Sequence, residues 1–316
     1  MAIELNAYCD FDAFSEDVRH IDGWRLLKDP TRTLWTNRHI ELCGIYVQIG
    51  SSGSGFIVEG RSSSKGYLVY MPLTQFSEHA VNGIVLDEYS ILFLKPGSDF
   101  CLSVKGPHEW CSIFVPMQNL AEYGNQQHSL TVDERPGCGV VRVTPNIAHQ
   151  VRSFIHDTES AACSKLKFEL TPAAAIAAEE AVTLVVSLIV EGRAAGRARN
   201  RRSLISRQEI IRRCKGMHEE AGGRRVKVAD MAAGAGVSER TLETVFKEYF
   251  GVGAARYFQL RRFRQINIAL HDAPANWETV AEILGRHGEW QSGRFAGRYR
   301  RLYGESPSQT LRRQQH

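Results

Sequence analysis

Apolar and polar positions follow a β-sheet pattern in the first part of the chain and a helical pattern in the rest. Up to about residue 115, short β-prone runs recur with turn residues between them, a spacing typical of an all-β sandwich or barrel. We predict a small β-barrel there, after an irregular extension over residues 1–22. The predicted strand runs are Arg38–Gln48, Gly55–Glu59, Gly66–Met71, Gly83–Leu86, Ile91–Leu94, Phe100–Val104 and Trp110–Val115.

From Pro145 onward, apolar residues recur at helical spacing. Thr171 in the N-cap position and Pro172 at the first helical position predict a helix over residues 172–191. This helix is apolar over much of its surface, and packing against one barrel would not cover so much apolar surface. We therefore predict a homodimer contact along this helix as well as packing within the chain. Complete burial within one chain is the alternative.

A basic linker separates this part from a second helical part. Residues 193–205 contain five Arg and no acidic residue, and they have no apolar periodicity, which indicates a flexible linker. Ser206 and Glu209 have the spacing of a capping box, so a new domain is expected to begin with a helix at Ser206. Further helices are predicted over residues 228–234, 238–250, 254–271, 278–285, 292–302 and 307–313.

The C-terminal part repeats one apolar pattern around a Gly-containing turn, as two successive helix-turn-helix units would. Positions before the turn recur 52 residues later and positions after it recur 53 residues later, so one residue is inserted in the second turn. The matched pairs are Val228 and Val280, Met231 and Ile283, Gly236 and Gly288, Leu242 and Phe295, Phe246 and Tyr299, and Gly251 and Gly304.

Charge is divided unevenly along the chain. Residues 1–192 hold 14 Lys/Arg and 23 Asp/Glu, whereas residues 206–316 hold 20 and 12. An acidic part joined to a basic part indicates a nucleic-acid binder with a separate domain for another task. The 7 Cys form no C-x-x-C pair, and neither a signal peptide nor a run of membrane-spanning length is recognised, so a reduced, cytoplasmic protein is expected.

The repeat resembles the DNA-binding domain of AraC/XylS-type transcription regulators over residues 206–316. The resemblance implies an all-α domain in which a long helix joins two helix-turn-helix units, with double-stranded DNA as the partner. It also implies a transcription regulator, expected to be an activator that works with RNA polymerase. The motif residues that carry it are Val280, Ala281, Ile283, Gly288, Phe295, Tyr299, Arg300, Tyr303, Gly304, Ser306 and Pro307.

Two helices are predicted to face DNA, and their roles differ. In the first, Arg240 suits a guanine, Glu243 a cytosine amino group and Thr244 a thymine methyl; contact with solvent or phosphate alone is the alternative. In the second, Gly293 and Gly297 weaken the helix, so we expect it to hold phosphates more than to read bases. The predicted DNA-binding residues are Arg240, Glu243, Thr244, Lys247, Ser292, Arg294, Arg298 and Arg300.

The first part resembles a cupin-like sensor domain. We predict an α+β chain in which residues 23–145 form an effector-binding barrel and residues 146–192 a helical dimerisation element. The histidines of this part are isolated in the sequence, so no metal site, no catalytic residue and no enzyme activity are expected. The candidate metal ligands among them are His79, His108, His128 and His149.

Arginine motifs suggest a nucleotide effector. Residues 193–197 and 197–201 both spell R-x-x-x-R, and a Ser- and Gly-containing segment lies between predicted strands. Together they are similar to PilZ-type cyclic di-GMP receptors and to AraC-like activators that sense that messenger. Guanidinium groups suit phosphate oxygens and the guanine edge. The predicted effector-binding residues are Arg61, Ser63, Gly66, Arg193, Arg197 and Arg201.

The alternatives differ in what this arginine cluster does. It is either a solvated linker, a segment that contacts DNA phosphates, or part of a site for cyclic di-GMP or another small effector. The favoured function is therefore an effector-responsive, dimeric transcription regulator. Two rivals are a constitutive DNA-binding and dimerisation protein, whose operator affinity ignores every effector, and a barrel enzyme with an appended DNA-binding domain.

Overall fold

A computed structural model describes residues 3–29, 34–127, 137–164, 171–196, 202–222, 226–273 and 278–313. The chain divides into two compact units, each described by itself below. The first comprises Met1–Arg25 and Thr33–Arg199, and the second comprises Leu26–Arg32 and Asn200–His316.

Strands dominate the first unit and form two sheets. The larger has the order β1-β3-β4-β11-β6-β9-β12 and the smaller the order β2-β5-β10-β7-β8, with neighbouring strands antiparallel. The strands are β1 (Ile3–Tyr8), β2 (Ile21–Leu27), β3 (Trp35–Leu42), β4 (Ile45–Ser52), β5 (Phe56–Ser62), β6 (Gly66–Pro72), β7 (His79–Val81), β8 (Ile84–Val85), β9 (Ser90–Leu94), β10 (Asp99–Val104), β11 (His108–Pro116) and β12 (Cys138–Arg142).

The predicted barrel is not closed among the described strands. The smaller sheet ends at β8, whose two residues are too few to continue a hydrogen-bonded ladder to the larger sheet. The predicted strand over Arg38–Gln48 is instead a hairpin, since Cys43 and Gly44 at its turn both have positive φ. A sheet-rich unit is therefore correct, whereas barrel closure is not observed.

Strand β6 shows why the larger sheet is stable. All seven of its residues are buried, because alternate side chains point to opposite faces and both faces are covered. Leu68 and Tyr70 line the space between the two sheets, whereas Val69 and Met71 belong to the core that also includes the helices on the outer face.

The N-terminal segment is ordered, contrary to the predicted irregular extension over residues 1–22. Strand β1 pairs with β3, and helix α1 (Phe11–Asp17) begins at Asp10, whose side chain accepts a hydrogen bond from the Asp12 backbone. Phe14, only 2% exposed, packs against Trp35 with ring centroids 4.8 Å apart. The prediction failed because this short helix is stabilised by tertiary packing that its sequence does not display.

Three further helices complete the first unit: α2 (Met117–Gln127), α3 (Pro145–Ser164) and α4 (Pro172–Gly196). The predicted start of α4 is confirmed, since the Ala174 backbone N–H donates to the Thr171 hydroxyl at 3.3 Å. Up to Ile189, α4 buries one stripe against the sheet and α3, and Ile176 is the large apolar side chain left exposed. Burial within one chain thus accounts for most of the apolar surface that suggested a dimer.

Helix α4 also corrects the expectation that no run is long enough to span a membrane. Its residues Pro172–Ile189 form a window of 18 residues with mean hydropathy 1.7, of which 44% is buried within the protein. Length and composition alone therefore make α4 a weak candidate, and core helices of soluble proteins pass the same test.

The second unit is helical, in agreement with the predicted helices. Two boundaries at the predicted linker differ: α4 extends to Gly196 and α5 begins at Arg202 instead of Ser206, so the linker is helical at both ends. The helices are α5 (Arg202–Glu220), α6 (Val228–Ala235), α7 (Glu239–Phe250), α8 (Ala254–Asp272), α9 (Val280–Arg286), α10 (Ser292–Tyr303) and α11 (Pro307–Arg313).

Candidate functional site

Helices α6 and α7 form the first helix-turn-helix unit. Gly236 ends α6 with φ 74°, in the left-handed region that favours glycine. The Val237 backbone N–H then donates to the Ala232 carbonyl at 3.0 Å. Ser238 caps α7 by accepting a hydrogen bond from the Thr241 backbone.

Helices α9 and α10 form the second unit, whose turn keeps one backbone hydrogen bond of the first. A capping box of Thr279 and Glu282, not predicted, begins α9. The Glu289 backbone N–H donates to the Leu284 carbonyl at 2.9 Å. Both residues of this bond lie 52 positions after Val237 and Ala232, which form the corresponding bond of the first unit. Glu289 is therefore the counterpart of Val237, and the inserted residue of the second turn is Trp290.

Helix α8 joins the two units through aromatic contacts. Phe246 of α7 packs against Tyr257 and Phe258 near the start of α8, with ring centroids 5.3 and 5.5 Å apart. Phe295 of α10 packs against Phe263, further along α8, at 4.9 Å. Both second helices are therefore anchored on one continuous helix.

A buried hydrogen-bond network strengthens the second anchor. The Asn267 side chain of α8 donates to the Tyr299 hydroxyl at 2.9 Å, and this hydroxyl lies 3.0 Å from the Thr310 hydroxyl. Thr310 belongs to α11, which begins with a capping box of Ser306 and Gln309. Helices α8, α10 and α11 thus meet at one satisfied polar network.

Three of the predicted residues are exposed on the outer face of α7: Arg240, Thr244 and Lys247. Thr244 directs its hydroxyl to the Arg240 carbonyl at 2.9 Å, so its hydrogen-bonding need is met within the helix. Among the described residues, Arg240 forms no ion pair.

Glu243 has a structural role that the sequence did not reveal. Its carboxylate accepts a hydrogen bond from the Ala254 backbone N–H at 3.1 Å and so caps the N-terminus of α8, where the helix dipole favours a negative charge. A Cβ atom at Gly253 would lie 1.8 Å from this carboxylate. The carboxylate that was expected to accept from cytosine is engaged here with the protein's own backbone.

The outer face of α10 differs from that of α7 at matched positions. With the offset of 53 residues, Arg240 corresponds to Gly293, Thr244 to Gly297 and Lys247 to Arg300. Both glycines are exposed, and a Cβ atom added at either would meet no atom within 4 Å. The face of α10 therefore has no side chain where α7 carries Arg240 and Thr244. Where α7 carries Lys247, α10 has another cation, Arg300.

The remaining predicted residues of α10 are also at the surface. Ser292 is its first residue and is exposed, as are Arg294 and Arg300. Arg298 is half-buried, because it lies 3.9 Å from Glu289 and over the Phe263 ring at 6.0 Å. Arg298 is thus partly committed to contacts within the unit.

Glu289 of the second turn forms a buried ion pair. Its carboxylate lies 3.2 Å from the Arg262 guanidinium of α8, and both side chains are only 9% exposed. A paired and hydrogen-bonded charge can be buried there, whereas an unpaired one would be very unfavourable. The ion pair ties the second turn to α8.

In the first unit, two of the predicted effector residues line one open groove. Arg61 and Ser63 lie there with Lys65 and with the rings of Tyr46 and His20. Arg61 forms a bidentate ion pair with Asp99, at 2.7 and 3.1 Å. His20 stacks flat on Phe114, with centroids 3.9 Å apart, and burial lowers the pKa of His20 to about 4.

The other predicted effector residues are not placed in this groove. Gly66 lies in β6, where a Cβ atom would lie 2.4 Å from the Val115 carbonyl oxygen, so glycine is required for the close approach of β11. Arg197 and Arg201 lie outside the described residues, as does the side chain of Arg193.

Two of the histidines thought to be isolated meet in space. The rings of His79 and His108 are 4.7 Å apart, edge to face, and burial lowers their pKa values to about 3 and about 4. The Tyr70 hydroxyl lies 3.0 Å from His79 Nδ1. Among the described residues, no group of three or more His, Cys, Asp or Glu side chains could hold a metal ion.

The geometry of α6–α11 defines a helix-turn-helix domain, and comparison with known proteins agrees. Residues 231–313 match the family model described as "Helix-turn-helix domain". The XylDLEGF operon transcriptional activator 1 of Pseudomonas putida is 37% identical over 95 residues, which are 30% of this chain and 29% of that protein. The probable thc operon regulatory protein of Rhodococcus erythropolis is 38% identical over 85 residues, 27% and 26% of the two chains.

These alignments leave most of the relatives unmatched, since the chain covers less than a third of either of them. Among solved structures, the AraC-like transcriptional activator CuxR aligns with 90% of this chain and 100% of its own, at 12% identity and a TM-score of 0.41. By the match to the family model, the C-terminal part is a helix-turn-helix domain.

Removal of the Glu289 carboxylate is expected to destabilise the second unit. Glu289→Ala leaves the buried Arg262 guanidinium without its carboxylate, which costs about 3–5 kcal/mol of unfolding free energy. Urea denaturation of the full chain measures this loss. The control is Glu278→Ala, which removes a more exposed ion pair to Arg286 and should cost less than about 1 kcal/mol. Equally small losses for both variants would contradict the role assigned to Glu289.

Proposed function

We propose that the protein is a sequence-specific DNA-binding transcription regulator of the AraC/XylS type, acting as an activator with double-stranded DNA and RNA polymerase as partners. The observation that carries the proposal is the pair of complete helix-turn-helix units, each with its second helix exposed along one face and anchored on α8. Second helices held in this way enter the major groove of DNA in proteins with this motif.

The two units divide the work of recognition. Arg240 and the Thr244 methyl supply base contacts from α7, since a guanidinium pairs with guanine and a methyl group contacts thymine. Glu243 is left out of the base-reading set because it caps α8. Helix α10 has glycines at the matching positions and keeps exposed cations, so it supplies phosphate contacts, which position a protein on DNA without reading sequence.

Arg240→Ala and Arg300→Ala are expected to have different effects on DNA binding. Arg240→Ala should lower affinity about 5- to 150-fold for the preferred duplex and relax specificity at one base pair. Arg300→Ala should weaken binding to all duplexes alike and reduce the salt slope by about one. Arg300 is a better probe than Arg298, whose contacts with Glu289 and Phe263 would confuse the result.

Titration of both variants against duplexes selected from a random library, over a range of salt concentrations, measures these effects. Equal effects of the two substitutions on every duplex would refute the division of work.

We further propose that the first unit senses an effector, with cyclic di-GMP favoured. The groove that contains Arg61, Ser63 and Lys65 offers cations and a hydroxyl for phosphate groups, and the half-buried Tyr46 ring provides a surface on which a base can stack. Binding would require Arg61 to exchange Asp99 for a phosphate oxygen. Arg193, Arg197 and Arg201 would supply the second half of the site.

A small apolar effector is the second candidate. A narrow cavity between the two sheets is lined almost entirely by apolar atoms, including those of Phe56, Leu92 and Phe100, with Arg19 and Arg25 also at its wall. Such a cavity suits an aromatic or aliphatic ligand, and a cation there suits a carboxylate on it. Either effector acts as a switch only if it binds one conformation of the protein better than the other.

A homodimer in the cytoplasm completes the proposal. Ile176 on the outer side of α4 is 66% exposed, and among the described side chains of that helix it is the large apolar one that a second copy would cover.

Calorimetric titration of the full chain with cyclic di-GMP tests the favoured effector. We expect a saturable heat that Arg61→Ala and Arg197→Ala both remove, because each deletes a guanidinium from the proposed site. The matched control is Arg142→Ala, which removes another exposed arginine that is paired with an aspartate, Asp87, and should leave the heat unchanged. No heat at high ligand concentration discards cyclic di-GMP and leaves the apolar effector and constitutive binding.

A further inference from the structure

The insertion in the second turn supplies an exposed aromatic side chain. Glu289 already takes the place of Val237 in the turn, by its backbone hydrogen bond to Leu284, so Trp290 has no counterpart in the first unit. Trp290 is 82% exposed, more than any other large apolar side chain among the described residues. Exposure of an indole to water is unfavourable, and folding of the unit alone gives no reason for it.

The turn holds this side chain in place. On one side, the buried ion pair of Glu289 with Arg262 fixes the preceding residue. On the other side, the indole lies against Gly285 of α9, where an added Cβ atom would be 3.3 Å from the ring. A ring that is positioned before binding loses little conformational entropy when a partner covers it.

Trp290 lies at the start of α10, the second helix of the second helix-turn-helix unit. Trp290 directly precedes Gln291, the N-cap of α10, and the N-terminal residues of such helices contact base edges in the major groove. Gly293 and Gly297 on the same helix have no side chains, so none would stand at these positions between the backbone of α10 and the DNA.

The chemistry of the indole restricts what it can recognise there. Tryptophan has one N–H donor and no acceptor, and most of its surface is apolar. In the major groove, the one apolar group that base edges present is the C5-methyl of thymine. We propose that Trp290 reads a thymine in the half-site bound by α10, through contact of its ring with this methyl group; the proposal rests on the proposed DNA binding.

Base substitution in DNA tests this contact directly. The full chain would first select duplexes from a random library, and each thymine of the preferred duplex would then be replaced in turn by uracil, which lacks only the methyl group. At one position we expect uracil to lower affinity about fourfold, the effect of removing one buried methyl-sized group. Trp290→Ala should lower affinity for the thymine duplex at least about fivefold and abolish the difference between thymine and uracil there.

Two variants serve as controls. Trp290→Phe keeps an aromatic ring and should retain a weaker preference for thymine. Val85→Ala removes another exposed apolar side chain, 61% exposed and located in β8 of the first unit, and should leave both affinities unchanged. Because Trp290 is exposed, Trp290→Ala should unfold at the same urea concentration as the natural chain, which the same samples can show.

Three outcomes would overturn the proposal. The first is a uniform loss of affinity in Trp290→Ala with the uracil effect unchanged, which indicates a contact to the sugar-phosphate backbone. The second is unchanged DNA binding together with lost activation of transcription in a reconstituted assay, which indicates a contact to RNA polymerase. The third is unchanged binding and unchanged activation. Failure of the natural chain to enrich any sequence would instead refute the proposed DNA binding itself.

Discussion

The packing of two helices on α8 is the constraint on which the DNA-binding part depends. Phe246 contacts Tyr257 and Phe258 near the start of α8, and Phe295 contacts Phe263 further along, so one continuous helix of 19 residues sets the relative positions of α7 and α10. Successive turns of the DNA major groove are about 34 Å apart, and α8 fixes the relative placement of the two helices that would enter them. Glu243, which caps the N-terminus of α8, and Glu289, which pairs with Arg262 in the middle of α8, fix the same geometry.

Within this fixed frame the two copies of the motif have diverged most on their exposed faces, and also in the turn, where the buried Glu289 takes the place of Val237. The buried positions that pack on α8 remain apolar or aromatic in both. The outer positions differ between the two copies: Gly293 and Gly297 stand where the first copy has Arg240 and Thr244. The second turn also contains the additional residue Trp290. A duplicated motif can change its recognition surface in this way without loss of stability, because exposed substitutions alter unfolding free energy little whereas buried ones alter it strongly. The second unit thereby replaces hydrogen-bonding readout with cations and one apolar ring.

The helices of the second unit were predictable because their signals are local. Ser238, Gly236 and the capping box at Ser306 mark helix ends in the sequence itself, and the structure has those ends. Glu243 was misjudged since its partner, the Ala254 backbone, becomes its neighbour only after α7 folds against α8. The same holds for the N-terminal segment, for the failure of the barrel to close and for the meeting of His79 with His108, all of which depend on long-range packing. The groove at Arg61 was found only in part, because Tyr46 and His20 carry no recognisable motif.

The most direct test of the account is the spacing of the two DNA contacts. Footprinting of the full chain on a selected duplex should show two protected major-groove segments about 10 base pairs apart on one face of the DNA, and insertion of about five base pairs between them should abolish high-affinity binding. Rigid attachment of α7 and α10 to α8 requires this result. Undiminished affinity after the insertion would show that the two helices are not held at a fixed separation and would contradict the account.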